Sequence, residues 1–235
     1  MKKLLITVLC LLLICGLSAC GGGDKQQSVA TNPDNTVRTA DKQDNKQENE
    51  APEEGRVLVV YFSMPETSNP DNMTTEEDNS VVVIDGQVLG NTQYIAQVIQ
   101  QTTGGDIFRI EPAEPYPTDH RTLLDLAAEE QKNNTRPAIA AQIENFADYD
   151  TVFVGYPIWW SDLPMIMYSF FEEYDFGGKT LIPFSTHGGS SFAGTPATIQ
   201  QLEPEAAMLE GLTISRNDIQ EAEQEIVDWV NGLDI

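Results

Sequence analysis

Five short apolar runs alternate with helical stretches over residues 56–235, and this alternation leaves few folds open to the chain. The runs are Arg56–Phe62, Asp106–Glu111, Thr151–Gly155, Lys179–Phe184 and Leu212–Ile214. The first and third are apolar almost throughout, the pattern of strands covered on both faces rather than on one. Between them, Thr92–Thr103 carries a helical stripe at Ile95, Ala96, Val98 and Ile99 and stops at Gly104 and Gly105. Thr118 can cap a helix running to about Lys132, and Pro164 opens an apolar helix over Met165–Glu173. Thr195 and Pro196 start a further helix as cap and first residue. Ser215 and Asp218 have the spacing of a capping box for a last helix to about Val230, with Ile219, Ala222, Ile226 and Val230 inward. Alternation of this kind predicts an α/β fold: one doubly wound, five-stranded parallel sheet with right-handed crossovers. No Gly-x-Gly-x-x-Gly follows the first strand, which disfavours a dinucleotide site.

The segment before the sheet reads differently. Lys2 and Lys3 precede an apolar stretch from Leu4 to Leu13, and Leu17-Ser18-Ala19-Cys20 ends it with small residues. Residues 1–19 therefore read as a secretory signal, too short for a membrane span. The Leu-Ser-Ala-Cys ending resembles a bacterial lipobox, which implies lipid attachment at Cys20 and an extracytoplasmic, membrane-anchored location. Cys10 and Cys15 would leave with the signal, so the mature chain has no thiol for redox or metal chemistry. Residues 20–54 are polar and nearly free of large apolar side chains, the composition of a tether. A coil of this length spans roughly 30–35 Å. Residues 55–235 form the domain. The formal charge of −24 repels nucleic acid and anionic lipid, and it suits either solubility or attraction to a basic partner.

Three loops should meet at the carboxyl edge of the sheet, where open α/β sheets bind ligands. The first starts at Ser63 and ends at Gly90-Asn91-Thr92, directly before a helix. Open first-turn N–H groups there would attract an anion, so Ser63, Asn91 and Thr92 can cradle a phosphate; an ordinary turn and cap would use the same residues. The second is Pro157-Ile158-Trp159-Trp160. Pro157 should break the strand at once, since it has no N–H for the ladder. Two indoles at this edge suit a large flat ligand, although a capped core would also bury them. The third is Ser185-Thr186-His187-Gly188-Gly189-Ser190-Ser191-Phe192, whose glycines allow close approach and whose Phe192 can supply a second apolar face.

Five stretches in order carry a resemblance to the flavodoxin-like FMN-binding family, in particular its bacterial lipoprotein branch. They are Val59-Val-Tyr-Phe-Ser63, Gly90-Asn-Thr92, Ile110-Glu-Pro-Ala-Glu-Pro-Tyr-Pro117, Gly155-Tyr-Pro-Ile-Trp-Trp160 and Ser185-Thr-His-Gly-Gly-Ser190. The resemblance covers residues 56 to about 232. It implies strand order 2-1-3-4-5 and FMN at the sheet edge. By it, Ser63, Asn91 and Thr92 hold the phosphate, Pro157, Ile158, Trp159 and Trp160 line the ribityl chain and ring, and Thr186, His187, Gly188, Gly189 and Ser190 line the ring's other side. The function it implies is extracytoplasmic electron transfer, or reduction of a small acceptor, with a redox protein or that acceptor as partner. A flavin-free surface binding lipoprotein on the same scaffold is the alternative. Carboxylates and aromatics around the ring predict a low potential.

One departure stands out: residues 64–89 separate Ser63 from Gly90, where a flavodoxin has a short unbroken loop. The insert is acidic at Glu76-Glu77-Asp78, then reads as a hairpin about Asp85-Gly86, and we expect it to form a flap near the cofactor. Met64, Glu66 and Thr67 follow Ser63 closely enough to reach the phosphate or miss it. His187 could pass a proton to flavin or simply bond its own loop. His120, at a helix start, reads as surface, Tyr156 packs in the core or reaches the site, and Glu129, Glu130, Glu172 and Glu173 read as solvated helix faces. No residue is assigned a catalytic or metal-binding role.

Overall fold

The computed structural model describes residues 55–235. The signal, Cys20 and the tether lie outside the described residues.

Strand β1 (Val57–Tyr61) lies between β4 (Asp106–Arg109) and β5 (Thr151–Pro157), and β6 (Thr180–His187) pairs with β5 on the far side, all parallel. The last position is filled in two pieces, β7 (Ala207–Met208) and β8 (Leu212–Ser215), both parallel to β6. Counted along the five main strands this is order 2-1-3-4-5. The two pieces flank Pro183, whose nitrogen has no hydrogen to offer. Gly211, in the break, comes so close to the Pro183 carbonyl that a Cβ would collide with it.

Each central strand feeds two cores, because its side chains alternate between the faces. Leu58, Val60 and Phe62 join Val152, Val154 and Tyr156 beneath α3 (His120–Asn133), α4 (Met165–Glu173) and α5 (Thr195–Leu202). Val59, Tyr61 and Phe153 face α2 (Asn91–Thr103) and α6 (Glu223–Asn231), where Ile95, Ile99, Ile226 and Val230 are buried.

The ends of several elements differ from the sequence expectation. The strand read as ending at Gly155 runs on to Pro157, which is its last residue and pairs with Thr186; Ile158 N donates to the Thr186 carbonyl at 2.9 Å. The donor at this rung is the N–H of Ile158, so the missing hydrogen of Pro157 does not break it. β6 likewise runs on through Ser185, Thr186 and His187, because β8 pairs with that end. The α3 cap is Asp119, whose carboxylate accepts from Thr122 N, rather than Thr118. Thr195 is the first residue of α5, and its hydroxyl donates to the Phe192 carbonyl instead of capping. No Ser215–Asp218 capping box forms; a short 3₁₀ turn over Ile219–Glu221 precedes α6.

The insert folds into a short helix, α1 (Thr75–Ser80), capped by a Thr74–Glu77 box, and a hairpin, β2 (Val81–Ile84) with β3 (Gln87–Gly90). Asp85 and Gly86 both take positive φ, 51° and 81°, as a tight two-residue turn requires. The hairpin does not cover the cleft. Its Val82 and Leu89 bury against the α2 and α6 core, and only the limb before it turns toward the carboxyl edge. Apolar strand residues need a core more than a ligand does.

Candidate functional site

A cleft of about 300 Å³ opens at the carboxyl edge of the sheet. Its ring of loops follows β1, β5 and β6, and the start of α3 forms a fourth wall.

The β5 side is rigid and aromatic. After Ile158 the chain makes a minimal reversal: Trp159 N donates to the Asp162 carbonyl (3.0 Å) and Asp162 N to the Trp159 carbonyl (2.9 Å). The two residues between, Trp160 and Ser161, both take left-handed backbone, φ 49° and 62°. Non-glycine residues pay roughly 1–2 kcal/mol each for that conformation, and such strain concentrates at functional loops. Trp159 is half-buried and meets Phe62 (5.3 Å between ring centres) and Tyr116 (5.5 Å), both edge to face. Trp160 is 54% exposed, and its indole N–H donates to the Leu124 carbonyl at 3.2 Å.

Across the cleft lie Thr186, His187 and Gly188. Gly189 N donates to His187 Nδ1 at 2.8 Å, so that nitrogen is an acceptor and the proton sits on Nε2. Burial lowers the His187 pKa, against a smaller opposing pull from Asp218, which favours the neutral ring. Arg216 reaches over the same loop, and a Cβ on Gly188 would lie 3.2 Å from its Nη1. Gly188 is therefore where the guanidinium crosses the backbone.

The β1 end is polar. Gly90 and Ser63 touch so closely that any side chain at Gly90 would strike the Ser63 hydroxyl. No side chain caps α2, which leaves its first-turn N–H groups open. Thr92 Oγ1 and Thr186 Oγ1 share a buried hydrogen bond of 2.9 Å that ties the β1 and β6 loops together. Asn91 Nδ2 donates to the Asn79 carbonyl (2.9 Å) and Glu66 N to the Ser80 hydroxyl (2.9 Å), so the insert's first limb is stitched to the start of α2.

Of the residues that the sequence brings forward, Ser63, Asn91, Thr92, Pro157, Ile158, Trp159, Trp160, Thr186, His187 and Gly188 line this one cleft. Gly189, Ser190 and Phe192 do not; Phe192 turns toward Gly211. Tyr156 belongs to the core, its hydroxyl on Thr195 Oγ1 at 2.9 Å, and burial raises its pKa.

Two pairings escape the sequence reading. His120 is not a bystander on the surface: it lines the cleft, with Nδ1 2.8 and 3.0 Å from the two oxygens of buried Glu66. A carboxylate only accepts, so Nδ1 carries the proton. Glu130 is not solvated: Tyr116 donates to it at 2.9 Å, and burial raises its pKa more than that bond lowers it. Only topology could have found His120. Strand order 2-1-3 sets the start of α3 beside the loop that leaves β1, and nothing in the local sequence says so.

A family model described as flavodoxin matches residues 81–233. A candidate flavoprotein from Bacteroides eggerthii is 29% identical, with a TM-score of 0.59 over 77% of this chain and 99% of that one. A second, from Bacteroides uniformis, is 26% identical, with a TM-score of 0.58 over 75% of this chain and 98% of that one. A flavoprotein in complex with FMN from Lactobacillus acidophilus is 14% identical, with a TM-score of 0.53 over 75% and 99%, a likeness of fold alone. No curated protein matches the chain.

Proposed function

The chain belongs to the flavodoxin family, and on that premise we propose that its cleft holds a flavin, FMN in the family's manner, for electron transfer outside the cytoplasm. The observation that carries the reading is the slot between Trp159, pinned by Phe62 and Tyr116, and the His187–Gly188 loop. An aromatic wall facing a glycine-bearing loop suits a planar ring, and fixed walls lose little entropy on binding. The related protein that carries FMN in its crystal structure supports the same cofactor here.

The aromatic end fits the ring. Trp159 and Ile158 would pack on it, and Gly188 would let the backbone approach it. Arg216 supplies the positive charge and His187 the neutral Nε2–H at that end. A bound flavin supplies one- or two-electron redox chemistry, and the protein's share is burial, stacking and hydrogen bonding. The partner in this reading is a redox protein or a small acceptor. The Leu17–Cys20 motif supports a lipid anchor at Cys20, with the acidic domain held off the membrane by residues 20–54.

The test is colour and reducibility. The purified protein should quench flavin fluorescence stoichiometrically at micromolar concentration, and the bound flavin should be reducible by NADH, NADPH or a chemical reductant. Turnover with a quinone marks a reductase; reduction without turnover marks a carrier. No flavin binding would support the flavin-free binding lipoprotein instead.

A further inference from the structure

The β1 end of the cleft gathers hydrogen-bond acceptors beside the open first turn of α2. Asn91 is buried, and its Oδ1 has no partner among the described residues. Its orientation is set by the network, because Nδ2 donates to the Asn79 carbonyl. Beside it the insert contributes two carboxylates to the same cleft: Glu66, whose side chain is 7% exposed, and the exposed Glu76.

Several of the side-chain donors that a phosphate would use are engaged elsewhere, and the buried Ser63 hydroxyl is the one left open. The Asn91 amide is spent on Asn79, the Thr92 and Thr186 hydroxyls bond to each other, which uses one of their two protons, and the Ser80 hydroxyl donates to the Glu77 carbonyl at 2.8 Å. The open first turn of α2 attracts an anion, and Glu66 already brings one to this cleft. Arg216 is the single arginine or lysine lining the cleft among the described residues, and it stands over Gly188 on the β6 side. The cleft is polarised, positive at the ring end and negative where a phosphate is expected.

A phosphate monoester brings nearly two negative charges and no donor at neutral pH. A hydroxyl brings the O–H that an orphaned amide oxygen and a buried carboxylate both accept. We infer that the β1 end of the cleft is a hydroxyl-recognising subsite, so that the cleft takes the unphosphorylated flavin, riboflavin, at least as readily as FMN. The inference rests on the flavin reading above and narrows its ligand. It changes what the insert is for: the residues that interrupt the phosphate loop replace the phosphate's charge with the protein's own.

Fluorescence-quenching titrations of the purified protein with riboflavin and with FMN test this directly, alongside Glu66→Gln and Glu76→Gln. Riboflavin should bind as tightly as FMN or more so, the two agreeing within about threefold if FMN is the tighter. Glu66→Gln keeps an acceptor for His120 and should tighten FMN about tenfold while moving riboflavin less than about twofold. Glu76→Gln sits on an exposed helix that tolerates the change, and should tighten FMN by a smaller factor, about twofold. FMN tighter than riboflavin by more than about threefold in the unmodified protein would overturn the inference and leave the flavin reading standing. So would FMN affinity unmoved by both substitutions. Binding of neither flavin would remove the flavin reading and this inference with it.

Discussion

The two ends of the cleft are held by different means. At the β5 end, neighbours in sequence make the wall: Pro157 closes the last rung, Trp159 and Asp162 bond across a two-residue turn, and Trp159 wedges against two core aromatics. At the β1 end, residues far apart in sequence do the work, with Asn91 on Asn79, Glu66 on Ser80 and His120 on Glu66. The first wall is a local structure locked onto a core. The second is a polar assembly whose geometry depends on the whole insert folding back. Rigidity at one end and charge at the other suggest separate duties, ring placement and ligand discrimination.

Trp159→Ala should have the largest effect, because it removes a core wedge and the ring wall together. A loss of about 3–5 kcal/mol in unfolding free energy by denaturant titration is expected, with flavin affinity falling at least about tenfold. A mild effect on both would place the ring elsewhere. Ser161→Gly acts at the same end with opposite sign. Removing one left-handed non-glycine residue should raise stability by about 1 kcal/mol and leave flavin affinity unchanged. At the polar end, Asn91→Ala should cost about 1 kcal/mol or less, since it removes one bond and one orphaned oxygen together. Hydrogen exchange should then speed up across residues 64–80 and stay as it was across residues 156–160. Uniform acceleration would mean that the two ends are not independent.

The smallest effect expected is on pH dependence. The unfolded chain protonates His187 near its ordinary value of 6.5, whereas burial makes the folded ring take its proton only at lower pH. Between those values the unfolded state binds more protons, so stability falls as pH drops below about 6.5. His187→Gln should flatten that slope in thermal melts taken from neutral to mildly acidic pH. A slope that survives the substitution belongs to another group.

This contrast also explains what the sequence discloses. The sheet and the aromatic wall are legible because their signals are local: buried runs, breaker residues, and two tryptophans after a strand. All four residues Pro157–Trp160 line the cleft, as the pattern at Thr151–Trp160 predicts. Strand ends are less legible, since Pro157 and Ser185–His187 are kept in the sheet by neighbours from elsewhere in the chain. The Glu66–His120 pair is opaque because 54 positions separate its members: His120 alone reads as surface, and Glu66 alone as a residue that reaches the phosphate or misses it. The flap expected of residues 64–89 failed in part for the same reason. The turn at Asp85-Gly86 is local and forms as read, but which core the hairpin joins is decided by α2 and α6.

The central claim is that a flat ring lies between the Trp159 wall and the His187–Gly188 loop. A crystal structure of the protein grown with riboflavin tests it most directly. The account predicts the ring against Trp159, with its hydroxyl chain running toward Asn91 and Glu66. A ring seated away from Trp159, or a cleft left empty at saturating flavin, would contradict it.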